Sequence, residues 1–271
     1  MKTKYKIFFA KIIFKILSLL KNKIIFKIKK NNINWKLDLS EGIDLSIYIF
    51  GKFEYEIIET IAKHKLSKKP IFFDIGANIG VQTLQLASYF NDAKVHSFEP
   101  TNFGYKKLKN NITLNPDLRK NIYINQNFLS NKKFLPNKIY ASWNLKVKKN
   151  THKKHQGSYK NTSNASSLKL DDYIKKNKIK KIDFIKLDVD GHELEVLKSG
   201  YNFLRKKKVP IIFEVAPYLY AEHGYTQNDL IKLFKSLKYN FYNIDNLKKI
   251  DDIYRFFSSI PDGACATLVA K

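Results

Sequence analysis

The chain has 271 residues, 44% of them hydrophobic and 27% charged, with a formal net charge of +26 and one cysteine. The lone Cys265 excludes an intramolecular disulfide framework and suits a small core residue in a reducing compartment. The positive charge alone does not identify a nucleic-acid reader. Only Arg119, Arg205 and Arg255 are arginines, and the accompanying excess of Asn, Ile, Phe and Tyr fits an AT-rich coding bias. The length admits one large α/β domain with an N-terminal extension or two small domains, and the recurring strand-then-helix rhythm favours one.

Residues 7–20 are mostly apolar, but Lys11 and Lys15 interrupt them, so no run of about 20 apolar residues is available to cross a bilayer. A clean signal-peptide core and cleavage site are also missing. At helical spacing Lys4, Lys11, Lys15, Ser18 and Asn22 form one stripe, with Ile and Phe around the rest. Such an amphipathic helix can lie in an anionic membrane interface, or pack on the main domain or on a second subunit. The expected setting is cytoplasmic, with peripheral contact at the inner face through residues 1–22. Residues 24–29 and 33–39 alternate around Lys30-Asn31-Asn32 and read as a β-hairpin. Residues 1–50 are thus expected to form an extension and 51–271 the main domain.

A helical apolar face over 53–66 (Phe53, Ile57, Ile58, Ile61, Ala62) leads into a strand at 70–73. Asp74-Ile75-Gly76-Ala77-Asn78-Ile79-Gly80 follows, then a helical pattern over 81–90. Strand, glycine-rich turn and helix in that order make the site where an open α/β sheet takes a nucleotide-like ligand. The acid at the strand tip would repel a pyrophosphate and attract a sulfonium, which points to S-adenosyl-L-methionine before NAD. The next strand, 93–98, ends in Glu99-Pro100, placing a second carboxylate where it can accept from both ribose hydroxyls.

A helix over 102–114 and a strand over 121–126 come next. Residues 130–167 are rich in lysine, asparagine and serine and lack periodicity, which predicts a mobile lid or a disordered excursion. His152 and His155 within it have no nearby cysteine or carboxylate in sequence and read as solvated loop residues. Residues 168–174 read as the entry to a helix. The strand over 181–187 then runs into Asp188-Val189-Asp190-Gly191, and a helix over 192–204 follows. Lys186, Asp188 and Asp190 alternate and would share one face at a strand tip above the cleft, with His192 and Glu193 opening the helix. A strand over 209–215 carries Glu214, Thr226 with Asp229 caps a helix over 226–237, and strands over 239–244 and 264–270 complete the chain.

The motifs at 74–80, 98–100, 168–173 (Leu-Lys-Leu-Asp-Asp-Tyr) and 182–197 (Ile-Asp-Phe-Ile-Lys-Leu-Asp-Val-Asp-Gly-His-Glu-Leu-Glu-Val-Leu) together resemble the FkbM family of S-adenosylmethionine-dependent methyltransferases. The resemblance extends over residues 51–271. It implies a Rossmann-like class I methyltransferase sheet of seven strands, with 264–270 as an antiparallel strand near the edge, and methyl transfer to a hydroxyl of a sugar, polyketide or similar acceptor. Carried onto this chain, it sets Asp74, Gly76, Asn78 and Gly80 around the methionine part of the cofactor, Glu99 at the ribose and Asn127 at the adenine edge. Asp190 stands where the family more often has Glu. In-line transfer needs a group that takes the hydroxyl proton. Asp188 and His192 are the candidates for base or its orienter, with Lys186 holding Asp188 ionised and Glu214 as a second acid near the acceptor. A metal-assisted variant would place Mg²⁺ on Asp188, Asp190 and Glu214, although no alternation of hard ligands demands it. The competing readings are an RNA methyltransferase, for which no Asn-Pro-Pro-Tyr-like motif is present, and a membrane-docked binding protein that kept the fold without turnover.

Overall fold

The computed structural model describes residues 3–21, 23–133, 135–146 and 151–271. Seven strands form the central sheet: β1 (Ile71–Ile75), β2 (Lys94–Phe98), β3 (Ile122–Asn125), β4 (Phe184–Leu187), β5 (Ile211–Val215), β6 (Phe241–Asn243) and β7 (Ala266–Ala270). Their order is β6-β7-β5-β4-β1-β2-β3. All neighbours from β3 to β5 pair in parallel, whereas β7 runs antiparallel to both β5 and β6. This is the seven-strand class I sheet with the inserted antiparallel strand that the motifs implied.

The strands are apolar on both faces, because a parallel sheet is covered on both sides. Phe73, Ile75, Ile185, Leu187 and Phe213 enter one core, and Phe72, Phe184, Ile212 and Val269 enter the other together with Ile57, Ile58 and Ile61. From β1 the chain goes outward to β2 and β3, then returns to β4 on the opposite side of β1. The carboxyl ends of β1 and β4 therefore flank a switch point, where a crevice opens.

The hairpin pairs Ile25–Lys30 with Ile33–Asp38, and Asn31 and Asn32 take the positive φ values (49° and 60°) that a tight hairpin turn requires. Its inner residues Ile33, Trp35 and Leu37 pack with Ala77, Ile79, Leu84 and Leu108, so the extension shares a core with the main domain. The N-terminal helix (Thr3–Leu20) packs Ile7 against Leu39, Leu45 and Leu145. Asn22 and the side chain of Lys4, two members of the expected stripe, lie outside the described residues. Among those described, no helix is long and apolar enough to cross a membrane.

Three expectations are corrected. The helix over 53–66 is shortened to Glu56–Ala62, because Glu54 adopts φ +50° and diverts the backbone. The helix over 192–204 divides into Glu193–Ser199 and Tyr201–Lys207 at Gly200, where a Cβ would stand 2.5 Å from Leu170 Cδ2. The described part of the insertion is built rather than loose: Asn127–Leu129 pairs in parallel with Ser166–Leu168, and Lys138–Ala141 pairs antiparallel with Ser158–Asn161. A helix at Gly42–Phe50 and a short one at Pro217–Tyr220, neither anticipated, bring Ile43 and Tyr218 to the crevice.

Candidate active site

The turn after β1 is dictated by backbone crowding. Gly76 has φ +82°, and a Cβ there would fall 1.7 Å from Asp188 O, so only glycine fits where the β1 and β4 loops touch. Its N–H and that of Ala77 both donate to Phe98 O at 2.9 Å, which ties the turn to the end of β2. Asn78 N–H then donates to Glu99 Oε2 at 2.9 Å, while Thr101 donates to Oε1 from its N–H at 2.8 Å and from its hydroxyl at 2.5 Å. Burial pushes the Glu99 carboxyl up, and the donors from Thr101 and Asn78 oppose that shift. With three donors engaged, the Glu99 carboxylate retains acceptor capacity, and the residue lines the cleft.

Asp74 is placed differently from the sequence reading. It is fully buried and does not line the cleft; nor does Gly80. Asp74 Oδ2 accepts from Thr83 Oγ1 at 2.6 Å, and Oδ1 lies 3.7 Å from Lys186 Nζ. The charge expected to face a sulfonium is thus neutralised beneath the turn. Lys186 also lies 3.2 Å from Asp188 Oδ2 and donates to Gly76 O at 3.0 Å. Burial works against its ammonium, but Asp188, Asp74 and Glu54 outweigh that and hold its pKa above the ordinary lysine value.

Around this lysine the fold gathers acids from four segments. Oxygens of Asp188, Asp190 and Glu214 come within 4.8 Å of one another, the geometry of a possible cation cluster. Burial raises Asp188, against the pull of Lys186, and lifts Glu214 well above the carboxylate range, with Asp188 adding to it. Cys265, expected in the core, instead lines the cleft beside Glu214, and burial and that acid push its thiol up. Glu54, which the sequence did not single out, lines the cleft with Gln82 Nε2 donating to its carbonyl at 3.1 Å. Burial, then Asp188, raises its pKa to about 8.

His152 and His155 are buried and paired, contrary to expectation. His152 Nε2 is 2.8 Å from Glu222 Oε1, and His155 Nε2 is 2.9 Å from Asp190 Oδ1. Burial disfavours the His155 imidazolium, but Asp190 more than compensates and raises its pKa. Asp190, at φ +49°, is lowered in turn: burial opposes the shift and His155 drives it. His192 lines the cleft with its ring 4.1 Å from that of His223. Burial, then His223, lowers its pKa to about 3, which makes it a poor proton acceptor near neutrality. Glu193, read from the sequence as one of the ionisable groups clustered at the β4 tip, is buried and accepts from Gly191 N–H and Tyr225 OH, each at 3.3 Å, bracing the turn below the site.

The pKa of Glu54 yields a prediction whose sign is fixed. Its folded value of about 8 exceeds the unfolded 4.5, so the folded state binds more protons between those values and loses stability as pH rises through them. Glu54→Gln should therefore gain in melting temperature relative to wild type between about pH 5.5 and about pH 8.5. A constant difference across that range would mean that Glu54 is not held in its acid form.

The cleft opens to solvent over the carboxyl ends of β1, β2, β4 and β5, with Ile75, Phe98, Lys186 and Glu214 among its lining. The described part of the insertion supplies one wall, with Leu135, Ile139 and Trp143, and Phe128 and Leu129 add apolar surface. Asn127 is at this wall, its Nδ2 donating to Ser166 Oγ at 2.8 Å. The fixed Glu99 carboxylate, the Gly76–Asn78 backbone and this apolar wall fit the hydroxyls, polar tail and base of S-adenosylmethionine.

A family model described as Methyltransferase FkbM domain matches residues 74–241, more than half of the chain. Among solved structures, a methyltransferase FkbM from Methylobacillus flagellatus KT matches at 16% identity and TM-score 0.48, over 78% of this chain and 45% of that one. This chain therefore spans less than half of its length. The M. jannaschii TYW2 in complex with AdoMet matches at 15% identity and TM-score 0.43, over 92% and 85%. Aeropyrum pernix fibrillarin with natively bound S-adenosyl-L-methionine matches at 10% identity and TM-score 0.42, over 76% and 67%. A comparison with curated proteins found no match. With its glycine turn, the acid at the end of β2 and the charged tip of β4 inside the matched segment, the chain belongs to the FkbM methyltransferase family.

Proposed function

We propose that the protein transfers a methyl group from S-adenosylmethionine to a hydroxyl oxygen of a sugar, glycan or secondary metabolite. The observation that carries this reading is Asp188, paired with Lys186 and opening on the cleft that Glu99 also lines. The cofactor, when bound, supplies an electrophilic methyl on a positively charged sulfur. Gly76, Asn78 and Glu99 hold it, with Asn127 near the base; Asp74 and Gly80 act from below, by fixing Lys186 and the turn.

Asp188 takes the acceptor's proton. Its raised pKa makes it a stronger base than an exposed carboxylate, and Lys186 keeps it ionised. Glu214, pushed toward its acid form, donates a hydrogen bond to the acceptor and does not compete for the proton. His192 serves as a wall of the site. Asp190, braced by His155, keeps the loop after β4 in place.

Asp188 and Asp190, each beside its own cationic partner (Lys186 and His155), and Glu54 and Glu214, raised toward their acid forms, make a floor of hydrogen-bonding groups that accommodates neutral hydroxyls, and this supports a non-nucleic acceptor despite the chain's net charge. Incubation with methyl-labelled S-adenosylmethionine and a host extract divided into glycan, lipid, small-molecule and RNA fractions tests this. Label in a hydroxyl-bearing non-nucleic fraction supports it, and label confined to RNA refutes it. Loss of label in EDTA would assign Asp188, Asp190 and Glu214 to a metal.

A further inference from the structure

The N-terminal helix uses one face to reach the domain and leaves the opposite face apolar. Ile7, Ala10, Phe14 and Leu17 turn inward. On the far side, Phe8, Phe9, Ile12, Ile16, Leu19 and Leu20 are between 43 and 79% exposed. At about 100° per residue these six fall within roughly a third of the helix circumference, a continuous apolar strip. Scattered exposed hydrophobics are ordinary on a protein surface, but a contiguous strip marks an interaction site.

Charge indicates what covers it. Residues 1–37 contain eleven lysines and not one Asp or Glu, whereas the remaining residues hold all 24 acids. A general lysine bias would not remove acids from a single segment. Lys15 is exposed, Lys11 is half-buried beside it along the margin of the strip, and Lys23, Lys27 and Lys29 are exposed on the hairpin that follows. A second copy meeting this face would bring lysine margins together and be repelled, while a layer of anionic headgroups over an apolar interior matches both features.

We propose that this helix docks the protein on an anionic phospholipid bilayer, lying along the interface with the strip in the acyl boundary and the lysines among the headgroups. The helix rests on Leu45 and Leu145, and the same two segments carry Ile43 and Trp143 at the wall of the cleft. Docking therefore sets the cleft beside the membrane.

Flotation of the full chain with phosphatidylcholine vesicles, with and without about 30% phosphatidylglycerol, tests the proposal. The expected result is at least about tenfold stronger partition into the anionic vesicles, weakening as salt rises. The double variant Ile12→Asp/Ile16→Asp should lose about tenfold or more on anionic vesicles, and Lys11→Glu/Lys15→Glu should lose the preference for them. Both should keep the wild-type melting temperature, since these side chains lie outside the packed cores, which separates lost docking from misfolding. Failure of the wild type to float with anionic vesicles, or undiminished flotation of Ile12→Asp/Ile16→Asp, overturns the proposal. So would a vesicle-free dimer that this double variant dissolves, because the strip would then belong to a second copy.

Discussion

Asp188→Asn should cut turnover by about 10²–10⁴ while leaving S-adenosylmethionine affinity within a few-fold of wild type. Asparagine keeps the shape of the side chain and an oxygen for Lys186, which lies 3.2 Å from the present carboxylate, but it cannot take a proton from an acceptor hydroxyl. The groups proposed to hold the cofactor are on other strands: Glu99 follows β2 and is held by Asn78 and Thr101. Glu99→Ala should show the converse pattern, raising the cofactor Kd by roughly ten- to a hundredfold through loss of a charged acceptor worth about 1.5–3 kcal/mol. Single-turnover rates and equilibrium cofactor titration separate the two. An Asp188→Asn enzyme with an unchanged rate would remove Asp188 from the proton-accepting role and leave the platform a structural one.

Lys186→Met should lower stability by about 3–5 kcal/mol, because it leaves a buried charge without its counterion. Asp74 is fully buried, its Oδ2 is satisfied by Thr83, and its Oδ1 has Lys186 as its nearest cation with no hydrogen bond. For a chain of this size the loss corresponds to a fall in melting temperature of roughly 10 °C. Adding Asp74→Asn should recover part of it, since the neutral amide no longer needs a counterion. If the single variant melts with the wild type, Asp74 does not depend on Lys186 as its counterion. The same substitution removes the donor to Gly76 O, so cofactor affinity should fall together with stability.

The glycine turn and the acid at the next strand end were legible because their placement is local. Gly76, Asn78 and Glu99 lie on a strand, a turn and the next strand end within 24 residues, and the glycine is forced by a backbone contact that the motif already encodes. Side-chain direction was less legible. Asp74 belongs to β1, whose alternate residues enter opposite cores, and packing of the following helix turns its carboxylate toward Thr83 and Lys186 and away from the cleft. Glu54 carried no signal at all. It precedes the matched domain, in a segment read as helix, and reaches the site only because its backbone takes φ +50° under the Gln82 amide.

The sequence by itself determined the order of strands and helices and the glycine turn, which rest on short-range periodicity and glycine placement, and through the resemblance of its motifs it determined the seven-strand sheet with its antiparallel strand and the family. The tertiary structure decided what long-range packing alone can settle. It drew His155 from the polar insertion onto Asp190, and Cys265 and Glu54 from opposite ends of the chain onto Glu214 and Asp188. It also decided which face of the N-terminal helix is covered. Ile7 finds Leu39, Leu45 and Leu145, residues far apart in sequence, and that choice leaves the opposite apolar strip outward. Hydrophobic periodicity marks which residues seek burial, but the partner that buries them is set by which surfaces the folded chain brings together.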